Sequence, residues 1–214
     1  MLVKICGITT REAAIAAVEA GADFIGFVFA ESKRKITPAK AAEIAKNVPV
    51  SVKKVGVFVN EKPLVMREIA SEVGLDFIQL HGDESSVTAE SLPVEIIKAL
   101  PAEKQLLAQH DDYPCDYLLV DTPSKSVRGG TGKTFDWDVL NEWKTNKKLI
   151  LAGGLTPENV QQAIKKVKPV GVDVSSGVET DGKKDIEKIR QFIKRAKERE
   201  DEKHENIHHA QFTR

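Results

Sequence analysis

The 214-residue sequence has little cysteine, no excess charge of either sign and no long apolar run, and each absence closes off a class of protein. Two cysteines, Cys6 and Cys115, are too few for a disulfide-stapled scaffold, and in a reducing compartment no bridge between them is expected. Cys6 must then be explained as a thiol. Lys+Arg and Asp+Glu each number 32; without a basic excess, nucleic acid is not an expected partner. No stretch of about 18 apolar residues exists to span a bilayer. The start, Met1 to Gly7, reads as a strand rather than as a charged segment followed by a long apolar one, so no signal peptide and no membrane association are expected, and the location expected is cytoplasmic. What is present is ordinary for a globular chain: 41% hydrophobic and 30% charged residues, at a length that buries a core as one domain.

Short β-rich apolar runs begin near Leu2, Asp23, Val52, Asp76, Glu95, Asp116, Lys148 and Val170, a repeat of about 20 to 30 residues. Helix-patterned segments lie between them. Arg11 to Ala20 is Ala-rich with Ile15 and Val18 on one face; Thr37-Pro38 opens Ala39 to Lys46 as an N-cap and first-turn proline; Thr156-Pro157-Glu158 reads the same way before Val160 to Val167. Strict alternation of strand and helix implies parallel pairing through right-handed crossovers, and runs such as Phe24 to Phe29 are apolar throughout, as strands covered on both faces must be. Eight units favour a closed (β/α)8 barrel, a TIM barrel of near-minimal length, over residues 1–198. A doubly wound sheet would want G-x-G-x-x-G after its first strand, where this chain has Cys6-Gly7-Ile8-Thr9. Residues 199–214 are charged and His-containing with few apolar side chains, and read as a disordered tail.

Polar residues and glycines gather at the strand ends, the rim on which a barrel builds its site. In order they are Cys6, Ser32 and Arg34, Asn60, Gln79 and His81, Asp121, Gly153-Gly154, and Asp173 with Ser175-Ser176-Gly177. Paired glycines before a helix, beside a second small-residue strand end, offer backbone amides to an anion, the usual barrel phosphate site. Arg128 to Thr134 misses the P-loop pattern because position 127 is Val, and fits either a mobile lid or a loop without ligand. A thiol and a carboxyl facing one mouth can act as a base and an acid on a carbon beside an imine or carbonyl, provided nearby positive charge or amides lower the thiol's pKa. Taken singly, however, a strand-end cysteine is ordinarily just buried, and a lone aspartate is more often a cap or an ion-pair partner.

Lys4-Ile-Cys-Gly-Ile-Thr9, Gly26-Phe-Val-Phe29 with Ser32 and Arg34, Val55 to Asn60, Gln79-Leu-His-Gly82, Leu119-Val-Asp121, Gly129 to Trp137, Ala152 to Leu155 and Gly171 to Glu179 follow in an order that resembles the phosphoribosylanthranilate isomerase family of tryptophan biosynthesis. The resemblance runs from about Val3 to Arg195. It implies a small barrel and an Amadori rearrangement of N-(5-phosphoribosyl)anthranilate, an aldose–ketose isomerisation with no metal or cofactor. On this resemblance Asp121 is the general acid and Cys6 the general base; Arg34 pairs with the anthranilate carboxylate; His81 and Asp173 orient acid, base or substrate; Gly153, Gly154, Ser175 and Ser176 hold phosphate, with Gly130 of the long loop added. One departure is Lys33, where a proline commonly precedes the arginine, and it bears on how rigidly Arg34 is held. The partner implied is a small phosphosugar; monomer or homodimer stays open. Two other readings remain. The related histidine-pathway isomerase looks for aspartate where Cys6 stands and for phosphate-binding glycines after strands three and four. A non-catalytic phosphosugar-binding barrel would have no reason to keep both Cys6 and Asp121.

Overall fold

The computed structural model describes residues 1–122, 136–140, 143 and 145–198. Eight parallel strands close on themselves: β1 (Leu2–Cys6), β2 (Phe24–Val28), β3 (Lys53–Phe58), β4 (Phe77–Leu80), β5 (Glu95–Pro101), β6 (Tyr117–Asp121), β7 (Lys148–Leu151) and β8 (Gly171–Val174). Pairing of β1 with β8 sets Leu2 opposite Gly171 and Lys4 opposite Asp173, and this seam completes the ring. The expected (β/α)8 barrel is therefore the fold, with strand starts within a residue of those read from the sequence. A further two-stranded ribbon, β9 (Glu179–Thr180) and β10 (Lys183–Lys184), follows β8.

A recurring dipeptide explains why the strand starts are so legible. Asp23-Phe24, Asp76-Phe77 and Asp116-Tyr117 open β2, β4 and β6, and each aspartate accepts a 2.8 Å hydrogen bond from a backbone N–H of the preceding strand, at Val3, Lys54 and Ile96. The three aromatic rings then meet one another inside the barrel, with centroids 5.6 to 5.9 Å apart. Period-two alternation stacks further inward side chains above them. Val55, Ile97 and Ile150 with Ala99, Leu119 and Ala152 make this inner core, distinct from the larger one between strands and helices. The layers turn polar toward the C-terminal end, where Lys4, Gln79 and Asp173 are buried.

Helices α1 (Arg11–Glu19), α2 (Pro38–Ala45), α3 (Pro63–Val73), α4 (Ser86–Glu90) and α5 (Lys104–Gln109) alternate with the first six strands. Thr10 and Thr37 cap α1 and α2 by accepting from Ala13 N and Lys40 N, and Pro38 begins α2, as expected. Between β6 and β7 the described residues hold only a short 3-10 turn, Trp137–Leu140. The next helix, α6 (Val160–Val167), starts later than Thr156-Pro157 suggests. Asn159 Oδ1 accepts from Thr156 N while its amide donates to Gly154 O at 3.0 Å, so residues 156–159 form a separate turn that braces the paired glycines before the helix begins. The last helix, α7 (Ile186–Lys197), is capped by Asp185 and packs against β1 and α1. Among the described residues no helix is long and apolar enough to cross a membrane. The tail 199–214 and the loop segment 123–135, with Gly130 and the Arg128–Thr134 motif, lie outside the described residues.

Candidate functional site

Cys6 ends β1 on its inward face, buried and unbridged, two residues beyond Lys4. Its cross-strand partner is Gly26, where a Cβ would sit 2.9 Å from Cys6 Sγ and 3.2 Å from Lys4 Nζ. That missing side chain is the space into which thiol and ammonium converge. Lys4 is only 1% exposed, and its Nζ donates to Asp173 Oδ1 at 3.0 Å and faces the Cys6 sulfur across the space left by Gly26. Burial pulls the Lys4 pKa down, but Asp173 and Cys6 more than offset it and the net shift is upward. For Cys6, burial pushes the thiol up; Lys4 opposes this, Asp173 reinforces it, and the net direction is up. The lowered thiol pKa that proton abstraction calls for is thus not met without substrate, although a cation that can supply it is in place.

Asp121 ends β6, and burial raises its carboxyl to about 6, against a 2.7 Å hydrogen bond that Oδ1 accepts from Thr122 N. Asp173 reinforces the rise and Lys4 opposes it, so the same two charges act on both Cys6 and Asp121. His81 Nε2 lies 3.8 Å from Asp121 Oδ2, and its Nδ1 lies 3.0 Å from the Gln79 amide nitrogen. The Gln79 contact engages Nδ1, which turns the Nε2 side of the ring toward Asp121. Below this rim a buried Lys98–Glu84 pair, 2.9 Å apart, holds the turn that carries His81. Lys98 also donates to Gly82 O, and Glu84 accepts from the backbone N–H groups of Asn60 and Gly82.

Gly153 and Gly154 both adopt left-handed φ values, +87° and +61°. A Cβ at Gly153 would also strike Thr122 Oγ1 at 2.5 Å, so the turn needs glycine for space as well as conformation. Ser175 follows β8 and Ser176 opens a 3-10 turn, Ser176–Val178. At Gly177 a Cβ would lie 1.8 Å from Leu155 O, which shows how tightly the loops after β7 and β8 press together. Between them is a ≈310 Å3 depression lined by Gly154, Thr156, Ser176, Gly177 and Lys188 among others. Gly177→Ala is expected to cost about 1–3 kcal/mol through overpacking and to weaken phosphate binding, read together by thermal unfolding with and without inorganic phosphate. Unchanged melting in both conditions would contradict the close approach.

Arg34 is not a bare surface cation. Its Nε and Nη2 donate to the two oxygens of Glu179 at 2.6 and 2.8 Å. Glu179 also accepts from Lys184 Nζ at 2.6 Å, and Lys184 donates to Ser175 O at 2.8 Å. Ser175 in turn donates through Oγ to Cys6 O at 3.1 Å. Cys6, Arg34, Asp173 and Ser175 therefore belong to one connected region, as do His81 and Asp121. Lys4, Glu179 and Lys184 were missed as functional candidates. Only Lys4 carried a signal, since a lysine two residues before a strand-end cysteine must face inward with it.

The sequence pattern described as PRAI, N-(5'phosphoribosyl)anthranilate (PRA) isomerase, matches residues 3–195. An N-(5'-phosphoribosyl)anthranilate isomerase of Listeria monocytogenes serotype 4b is 52% identical over 199 residues, covering 92% of this chain and 98% of the relative. The crystal structure of phosphoribosyl anthranilate isomerase from Thermotoga maritima superposes with a TM-score of 0.85 at 44% identity, covering 92% of this chain and 99% of that one. A phosphoribosyl anthranilate isomerase in complex with reduced 1-(o-carboxyphenylamino)-1-deoxyribulose 5-phosphate gives a TM-score of 0.80 at 41% identity, over 92% of this chain and 98% of that one.

Proposed function

Because the chain belongs to the N-(5'-phosphoribosyl)anthranilate isomerase family, we propose that Cys6 and Asp121 divide the two proton transfers of its aldose–ketose isomerisation. The protein is a PRA isomerase of tryptophan biosynthesis, converting N-(5'-phosphoribosyl)anthranilate into 1-(2-carboxyphenylamino)-1-deoxyribulose 5-phosphate. Asp121 donates its proton to the furanose ring oxygen as the C1–O bond breaks, and the nitrogen lone pair forms the C1=N imine. Cys6 as thiolate then removes the C2 proton, and the electrons of that C–H bond become the C1=C2 bond of an enolamine. Reprotonation at C1 and loss of the enol proton yield the C2 ketone.

The observation that carries this division is that burial keeps the Asp121 carboxyl near 6, so that a fraction remains protonated at neutral pH, while Lys4 stands ready to compensate a thiolate at Cys6. Asp173 anchors Lys4, and His81 faces Asp121 from β4's end. The backbone amides around Gly153, Gly154, Ser175 and Ser176 take the 5'-phosphate, so a chain of zero formal charge still binds a dianion. Arg34 takes the anthranilate carboxylate through the guanidinium edge that Glu179 leaves open. Residues 1–198 are the catalytic unit, and a thiol base suits a reducing cytoplasm.

The purified protein, given N-(5'-phosphoribosyl)anthranilate formed in situ, is expected to consume it with loss of the anthranilate amine's fluorescence. No turnover would return the phosphosugar-binding barrel to the front. The pH profile is a finer test. With Asp121 near 6 and Cys6 above its ordinary value, the productive form, acid protonated and base ionised, is a constant fraction between the two pKa values. On this basis kcat/KM should be flat from about pH 6 up to the Cys6 pKa and fall above it. Below pH 6 it should fall, because further acidification removes thiolate without adding acid.

A further inference from the structure

We propose that Glu179 is the positioning residue through which this site selects an amine bearing a carboxylate. The proposal rests on Arg34 meeting the anthranilate carboxylate. A guanidinium presents its five N–H donors in a rigid plane. Glu179 occupies the Nε/Nη2 edge with two short hydrogen bonds, which fixes the plane and leaves the Nη1 side for a second carboxylate.

Arg34 has few other restraints. Lys33 precedes it in place of a conformationally restricting proline, and among the described residues its backbone N–H bonds only to the nearby Ser32 Oγ at 2.9 Å. The stem crosses Gly7, where a Cβ would lie 2.5 Å from Arg34 Cδ and 3.1 Å from Ser175 Oγ. Gly7, at φ +76°, thus opens a slot just beyond Cys6, and Glu179 locks the arginine in it.

Glu179 is itself immobilised. Its side chain is 9% exposed, and Lys184, with a side chain 4% exposed, binds Oε1 through Nζ alongside Arg34 Nε. Burial alone would raise the Glu179 carboxyl, yet Arg34 and Lys184 hold it below its ordinary range. The edge left open then gives the selectivity. Arg34 shares the single carboxylate of Glu179 with Lys184, whose pKa burial lowers, and the Nη1 edge of Arg34 meets no carboxylate among the described residues. A substrate with a carboxylate fills that edge, whereas the same substrate with a plain phenyl ring leaves the Nη1 donors of Arg34 without an acceptor. Lys184 also donates to Ser175 O, and Ser175 to Cys6 O, so the carboxylate end is tied to the phosphate end and to the strand end that carries the base.

Glu179→Gln keeps the side chain's size and removes its charge. Steady-state kinetics would be run on N-(5'-phosphoribosyl)anthranilate and on the aniline compound that lacks the carboxylate. The expected result is a KM for the anthranilate substrate raised about tenfold or more, with kcat within a few-fold, and kcat/KM for the aniline compound unchanged. Glu179→Asp, which retains the charge, should keep more of the discrimination than Gln. An equal loss on both substrates would mean a merely structural role, and no loss on either would remove the role altogether; both overturn the proposal. Arg34→Lys separates it from the reading beneath it. If that variant loses discrimination while Glu179→Gln keeps it, Glu179 alone is excluded. If Arg34→Lys still discriminates, the assignment of Arg34 to the carboxylate fails, and the Glu179 proposal with it.

Discussion

Cys6→Ala is expected to lower kcat by about 10²–10⁴-fold, the usual worth of a positioned general base, while leaving the melting temperature and inorganic phosphate binding close to those of the parent. The two halves of that expectation have different structural origins. The sulfur lies at the inner end of β1 against Gly26, so its removal takes away one buried atom in a space already kept open by a glycine. The phosphate is proposed to bind at the loops after β7 and β8, which do not involve the thiol. A cysteine that served only as packing would show the reverse, with lost stability and preserved turnover. Near-normal kcat in Cys6→Ala would rule out the thiol as base. A useful companion is Lys4→Met/Asp173→Asn, which replaces the buried ion pair by two neutral groups. If Lys4 supports the thiolate, alkylation of Cys6 by iodoacetamide in this variant should need a higher pH than in the parent.

Asp121→Asn is expected to produce a comparable loss of kcat, about 10²–10⁴-fold, together with a gain in stability at neutral pH. The gain follows from the sign of the shift. Asp121 has a folded-state pKa of about 6 against an ordinary 3.8, so the native carboxyl holds its proton more tightly than the unfolded one. Below about pH 4 both are protonated and nothing is lost. As pH rises through 4 to 6 the unfolded carboxyl ionises first, which favours unfolding, and above 6 the full cost is in place. A difference of that size corresponds to about 3 kcal/mol. Asparagine keeps an oxygen to accept from Thr122 N and carries no charge to desolvate. Denaturant unfolding of parent and variant at pH 4 and pH 7.5 should therefore show the variant more stable only at the higher pH. Equal stability at both would mean that the carboxyl is not held above its ordinary range, and the acid assignment would lose its physical basis. The plateau of kcat/KM above pH 6 should also vanish with Asp121, leaving a rise that continues toward the Cys6 pKa.

Much of the barrel can be read from the chain because its repeat is local. Asp23-Phe24, Asp76-Phe77 and Asp116-Tyr117 mark the starts of alternate strands with one polar and one aromatic residue, and the apolar runs that follow have both faces covered. Thr10 and Thr37 are legible as caps for the same reason, since their partners lie three residues away. Thr156 is misread because a second local device intervenes: Asn159 binds both Thr156 N and Gly154 O, and the turn it makes delays the helix. The site is less legible where partners are remote. The period-two spacing from Cys6 turns Lys4 inward but does not name its partner, and only the fold shows that Lys4 meets Asp173, or that Glu179 meets Arg34. Cys6 and Asp121 stand out through ordered motif resemblance, not through spacing. Their shared environment, set by Lys4 and Asp173, is a property of the closed ring.

That closure has a consequence for how the protein comes to be active. The β1–β8 seam joins residues 169 positions apart, and it is there that Lys4 finds Asp173. A chain that has formed β1 through β7 but not β8 carries a lysine facing the interior without its carboxylate, beside the thiol it is meant to serve. Such contacts at long sequence separation are the slow ones in folding, because the entropy of closing the loop is spent before any of it is returned. Completion of the ring and assembly of the Cys6–Lys4–Asp173 cluster are accordingly one event; with Cys6 as the proposed base, the recovery of turnover during refolding should keep time with the docking of the final strand and not with the earlier appearance of helix.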